Sequence, residues 1–507
     1  MSGAATKQQK QAAAGGGGGA GQPYFVDQKK GEVNELRMLL GKLTVQRDKR
    51  KLREVVKKVI AYMTLGIDVT RVFDQMVMAC HTTDLVIKKM VYLYLTHYAA
   101  ANPDLAILGI NTLCKDSRDA DPMVRGLAIR SLTSLRLPNV VEYVMEPIRK
   151  GLVDNSSYVR KAAVMGILKI HHMAPVMIQE SDFVNQLYNM VRDADAKVVT
   201  NCLVVLNEIM REEGGVAINK KLITYLLNRI SDFDEWGQTI VLDLVPKYTP
   251  RSDEEAFAFM NVLDSCLRTP NSGVALATAK AFVHFTENLD AGIRRQACTR
   301  IKSPLMTMMT GSCPETSWVV CKHIEMLVRK EPGIFDDQFK AFYCRHNDPT
   351  HIQFIKLEIL PLIANPANMG EICAELTEYA TDITVEISRR AVKAVGGIGM
   401  RVPSGADSIM NQLLGFLDLD IEHVTDETMI VVKNLLRKYP ERGADVAVVV
   451  KRCMAQTRSP DGRAAVVWIY GEFGSIIPEA PYELEAVINN IEKEVRFCCD
   501  RGSAVVF

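Results

Sequence analysis

Lys49, Arg50, Lys51, Arg53, Lys57 and Lys58 crowd one short stretch of this chain. The chemistry open to such a group is electrostatic. Grouped cations beside an anionic lipid surface contribute about 1 kcal/mol each. Of these, Lys51, Arg53, Lys57 and Lys58 are the residues expected to carry a membrane or phosphoinositide contact. Two other readings stand beside it: solvation of a capping helix, and nucleic-acid binding, which would need the basic stripe to continue along the chain. Catalytic or metal chemistry has little to work with. There is no His-Glu-x-x-His and no Cys-x-x-Cys, so no zinc pattern is present. The neighbours His171-His172 and Cys498-Cys499 point in different directions along a helix or turn. Gly396-Gly397-Ile398-Gly399 lacks the lysine and preceding strand of a phosphate loop and reads as a helix terminus. Neither an enzyme nor a cofactor is expected.

The charge is local to one end. Residues 1–60 hold thirteen Lys or Arg against five Asp or Glu, a net of +8 in a chain whose total is +1. That leaves −7 for the rest, which argues against a polyanion-wrapping protein. Twelve cysteines are scattered through apolar segments, as expected of reduced thiols without disulfides. Neither an apolar leader nor a run of about eighteen apolar residues occurs, so a membrane-surface location is compatible with the sequence and a membrane span is not expected.

Helices must position these side chains. Val55, Val56, Val59, Ile60 and Met63 recur at spacings of three and four and define one apolar stripe. A phrase of polar turn, apolar residue and small inner residues then repeats: Asp121-Pro122-Met123-Val124-Arg125-Gly126-Leu127-Ala128, Ser157-Tyr158-Val159-Arg160-Lys161-Ala162-Ala163, and again at Val198 and Val274. Anchors at Val86, Val124, Val159, Val198, Trp236 and Val274 give the period of HEAT or armadillo arrays. Asp121 can cap a helix whose first turn takes Pro122. Val124, Ala128, Leu132 and Leu135 would then face a partner helix and the next repeat. Trp236, Trp318 and Trp468 are expected to fill wedges between helix pairs. The fold class expected is all-α, a HEAT/armadillo-like right-handed superhelical solenoid over residues 23–495, after a Gly/Ala-rich disordered tail at 1–22 and before a divergent end at 496–507.

Several phrases carry a resemblance to a known family. Val56-Lys57-Lys58-Val59-Ile60, Lys88-Lys89-Met90-Val91-Tyr92-Leu93-Tyr94-Leu95, Asn102-Pro103-Asp104-Leu105-Ala106-Ile107, Asn111-Thr112-Leu113-Cys114-Lys115-Asp116 and Trp468-Ile469-Tyr470-Gly471-Glu472-Phe473 resemble the amino-terminal trunk of the beta-type large adaptins. These are subunits of the heterotetrameric adaptor complexes that sort cargo into vesicles. Phe233-Asp234-Glu235-Trp236 and Leu435-Leu436-Arg437-Lys438-Tyr439-Pro440 are most similar to the beta subunit of the type 4 complex. The start, Tyr24-Phe25 with Lys29-Lys30, is closer to types 1 and 2.

The resemblance implies a scaffold in intracellular protein transport. Its partners would be a second large adaptin, a medium subunit, a small subunit, a small GTPase of the ADP-ribosylation-factor class and an anionic membrane. It implies a cytoplasmic protein, peripheral on trans-Golgi network and endosome membranes. It maps a GTPase contact onto Ile107 and Ile110, whose i, i+3 spacing fits a buried stripe as well, and a phosphoinositide contact onto Lys58 with Lys57 beside it. Relatives of this kind continue into a hinge and an appendage, whose functions are not assigned to these residues. The alternative is a generic helical-repeat scaffold or transport receptor without adaptor assembly.

Overall fold

The repeated phrase folds as its capping chemistry dictates. Asp121 precedes the helix in extended backbone and accepts the Met123 amide at 2.8 Å, and Pro122 takes the first helical position, where no amide donor is needed. Asp84, Asp195, Asp234, Asn271 and Ser459 cap other helices in the same way. The computed structural model describes residues 32–42, 45, 47–311 and 313–489. Among them every regular element is a helix. The Gly/Ala-rich stretch at 1–22, Lys29, Lys30, Cys498, Cys499 and the end at 496–507 lie outside the described residues.

The chain divides into two compact units at Ala217 and Ile218. In the first, helices α1 (Glu32–Gly41), α2 (Lys49–Thr64), α3 (Phe73–Ala79), α4 (Leu85–Tyr98), α5 (Pro103–Asp116), α6 (Pro122–Leu132), α7 (Val141–Leu152), α8 (Ser157–Met173), α9 (Pro175–Gln179), α10 (Phe183–Met190) and α11 (Ala196–Ile209) follow in order, and α2 to α8 alternate between two rows. One row is α2, α4, α6, α8 and α11, each packed on the next; α3, α5 and α7 form the other. The stripe Val124, Ala128, Leu132 and Leu135 is buried, as its spacing predicts.

A polar ladder runs through this unit. Arg125 clasps Asp154 in the turn that follows, with Nε and Nη2 donating at 2.8 and 2.9 Å, and its Nη1 holds the carbonyls of Asp119 and Ala120. Arg160 repeats the arrangement with Asp193 at 2.7 and 2.9 Å and with the carbonyls of Asp154 and Asn155. Earlier rungs are Arg53 with Asp84 and the buried Lys88 with Asp116, which also accepts from the Tyr92 hydroxyl. The side chains of Lys88 and Asp116 are both under a tenth exposed. A charge so placed is tolerated only when paired.

The second unit contains α12 (Lys220–Asn228), α13 (Glu235–Leu244), α14 (Asp253–Leu263), α15 (Ser272–Phe285), α16 (Ala291–Gly311), α17 (Pro314–Lys330), α18 (Thr350–Ile363), α19 (Met369–Ala380), α20 (Val385–Arg401), α21 (Ala406–Phe416), α22 (Glu422–Lys438), α23 (Gly443–Gln456), α24 (Pro460–Glu472) and α25 (Ala480–Asn489). Helices α17, α18, α20, α22 and α24 pack in series. Glu358 on α18 joins Lys322 on α17 at 3.1 Å and Arg390 on α20 at 2.8 Å.

Three expectations change here. Gly396 and Gly397 lie inside α20, not at its terminus. Gly396 is needed for close approach, because a Cβ there would stand 2.2 Å from Val431 on α22. Trp236 is 82% exposed and fills no wedge. The buried repeat position is Ile87 where Val86 was expected, and Gly237 where Trp236 was. Each is the third residue of its helix, as are Val124, Val159, Val198 and Val274.

Candidate functional site

The basic stretch folds into α2, capped by Asp48, which accepts the amides of Arg50 and Lys51 at 3.0 and 3.4 Å. Leu52, Val55, Val56 and Val59 form its buried side. At 100° per residue, Arg50, Lys51, Lys57 and Lys58 fall on the opposite arc, and all four are exposed. Glu54 sits in the same arc and offsets one charge. Tyr62 donates to Glu32 of α1, which ties the helix to its neighbour; that hydrogen bond, with burial, pushes the phenol up to about 12.

The four cations named from sequence are not equivalent. Lys51 reaches only Asp48, at 3.8 Å, and remains largely exposed. Lys57 and Lys58 make no ion pair with a described residue and project free. Arg53 is committed inward to Asp84, the cap of α4. Burial would push the Asp84 carboxyl up, but Arg53 and the amides of Ile87 and Val86 outweigh it and hold the carboxyl below its ordinary value. Arg53 therefore serves the repeat stack, and Arg50, not singled out from sequence, takes its place on the free arc. The helical angle alone could have found Arg50.

Ile107 and Ile110 separate in the same manner. Ile107 is 49% exposed on α5, with Leu108 beside it at 59%, whereas Ile110 is 3% exposed. The two isoleucines do not share an accessible face: the roughly 60° between positions i and i+3 spans the change from free surface at Ile107 to core contact at Ile110. An apolar contact on this helix would use Ile107 and Leu108.

No cluster of metal-ligating side chains occurs among the described residues, and none of their helices is long and apolar enough to cross a membrane. Buried thiols are held in their protonated form: burial raises Cys80 and Cys202 to about 12 and Cys373 to about 11. The ten described cysteines form no disulfide.

A model of the adaptin N-terminal region matches residues 28–497. The chain belongs to the adaptin family. This adaptin is 42% identical over 481 residues to beta-adaptin-like protein A of Arabidopsis thaliana, covering 92% of this chain and 57% of that protein. It is 38% identical to AP-4 complex subunit beta-1 of Mus musculus, covering 91% and 62%, and 34% identical to AP-1 complex subunit beta-1 of Homo sapiens, covering 93% and 50%. The adaptin chain thus spans between half and about three-fifths of the length of these relatives. Its fold is that of a chain in a homology model of the full-length AP-3 complex in an intermediate open conformation, with a TM-score of 0.61 at 22% identity, covering 90% of this chain and 79% of that one.

Proposed function

We propose that this adaptin is the trunk of a large beta-type subunit in a vesicle-coat adaptor complex, and that it acts as a non-catalytic scaffold in intracellular protein sorting. The observation that carries the reading is the family match over residues 28–497, on a chain whose described residues are built throughout of stacked helices. Stacked helices offer long continuous faces on which other subunits can seat. The partners are a second large adaptin, a medium subunit and a small subunit. Recruitment to trans-Golgi network or endosome membranes from the cytoplasm would use a small GTPase of the ADP-ribosylation-factor class at Ile107 and Leu108. The free cations Arg50, Lys51, Lys57 and Lys58 would face the anionic bilayer. The similarity to an AP-4 beta subunit favours the type 4 complex.

Co-expression with each adaptor medium subunit of its own cell, followed by affinity capture, tests the proposal. A stable complex with one medium subunit and not with the others is expected. Failure with every one would remove the adaptor reading and leave a helical-repeat scaffold of another kind.

A further inference from the structure

At the carboxyl-terminal ends of α4, α6 and α8, within the first unit, lies a cleft of 720 Å³ remote in sequence from the basic arc of α2. Its charged and titratable lining is His97, Arg136, Lys169 and His172, contributed by three successive repeats, and no acidic residue lines it. Leu93, Leu135 and Met173 supply apolar wall between them. Leu93 is half exposed.

Cations at helix carboxyl ends have a structural use, because they offset the partial negative charge of free carbonyls. Lys169 does this: its Nζ donates to the Ser134 hydroxyl at 2.7 Å and to the Arg130 carbonyl at 3.5 Å. Arg136 does not. Its guanidinium makes no hydrogen bond or ion pair with a described residue, and it stands at a φ of 52°, a left-handed conformation unfavourable for a residue with a Cβ. Glycine would meet that backbone requirement at lower cost. Burial and the nearby charges of Arg130 and Arg136 pull the Lys169 ammonium below its ordinary value, so the cleft holds unneutralised positive charge that an incoming anion would relieve.

We propose that this cleft binds an extended acidic peptide segment carrying at least one bulky apolar side chain. Three helix ends at the usual spacing of 8–10 Å span roughly 20 Å, which about six extended residues cover. Carboxylates pair with Arg136 and accept hydrogen bonds from His97 and His172 along this length, and the apolar side chain seats against Leu93 and Met173. The recessed, partly apolar wall and the spread of hydrogen-bond donors over three repeats suit a peptide better than a single compact headgroup.

The test is fluorescence anisotropy of the full chain with a labelled six-residue peptide of alternating Glu and Leu. The Lys and Leu version of the peptide, and inositol hexakisphosphate, are comparators. Arg136→Gly is expected to weaken binding about tenfold, the equivalent of one charge-assisted hydrogen bond. The same variant should melt at the same temperature or higher, because it relieves the left-handed backbone. A loss of binding accompanied by a gain of stability cannot come from misfolding. His97→Glu with His172→Glu should weaken binding further, while Lys57→Ala with Lys58→Ala leaves it unchanged. Equal affinity of wild type and Arg136→Gly, or equal binding of the lysine peptide, would overturn the proposal. Tighter binding of inositol hexakisphosphate, lost in Arg136→Gly, would overturn it too, by transferring the cleft to a phosphate headgroup.

Discussion

Ile107 and Ile110 stand one helical turn apart and have different tasks, which sets opposite outcomes for the same substitution. Ile110→Asp places a carboxylate in the core of its repeat, where an unpaired charge or an emptied site costs about 3 kcal/mol or more, and the melting transition should fall or broaden. Ile107→Asp changes a half-exposed side chain; melting should stay cooperative, and GTPase-dependent recruitment to Golgi membranes should drop. Circular-dichroism melts beside a membrane-recruitment assay separate the two. Equal destabilisation by both would place Ile107 in the core and remove the surface reading. Sequence spacing could not divide this pair, because residues at i and i+3 share a helical stripe, and only the packing of α3, α6 and α7 around α5 shows where the stripe meets solvent. Arg53 was illegible for a related reason: its partner Asp84 lies one repeat away.

Elements were more legible than their contacts. Asp121 and Pro122 located α6, and the return of the apolar phrase located α8, since those signals act within a few residues. Two misplacements, Val86 and Trp236, came from reading the exposed second residue of a helix as its buried third. The ladder between elements was not visible, because Arg125 and Asp154 are 29 positions apart. It has a measurable pH signature. Arg125 first, then the Ser156 amide and the charge of Arg160, hold the Asp154 carboxyl below its ordinary value of 3.8 against the opposing effect of burial. A carboxyl lowered on folding contributes stability that is fully present above the unfolded-state value and is lost as pH falls through the folded one. Arg125→Met should therefore destabilise the protein by about 1–3 kcal/mol near neutral pH, the worth of a hydrogen bond to a charged group. The gap from wild type should be constant down to about pH 5 and narrow below about pH 4. A gap independent of pH would assign Arg125 a packing role, through its bonds to the Asp119 and Ala120 carbonyls, in place of the ion pair.

Across the whole molecule the charge is distributed unevenly, with +8 in residues 1–60 and −7 in the remaining 447. An anionic bilayer attracts the first segment and repels the rest, so the asymmetry favours approach through the amino-terminal repeat. This asymmetry was the most legible feature of the candidate site, since summed charge needs no knowledge of the fold. The structure changes which residues test it. Substituting Arg53 would break the Asp84 contact and confuse lipid binding with stability, whereas Arg50, Lys51, Lys57 and Lys58 can be altered without touching the buried side of α2. Each surface cation is worth about 1 kcal/mol against an anionic membrane, so replacing these four with Ala should weaken binding to phosphoinositide-containing liposomes by about a hundredfold if three reach the lipid. The difference from wild type should shrink as salt rises, because the Debye length is already about 8 Å at physiological ionic strength. Co-sedimentation of the assembled complex over a salt series measures this, with Arg53→Ala as a comparison variant that should lower the melting temperature and barely change lipid binding. Equal, salt-independent sedimentation of wild type and the four-site variant would make the arc a solvated face of a terminal repeat. The comparison also separates the two basic regions of the first unit: Arg136→Gly, which removes charge from the cleft and not from α2, should leave liposome binding intact while acidic-peptide binding falls.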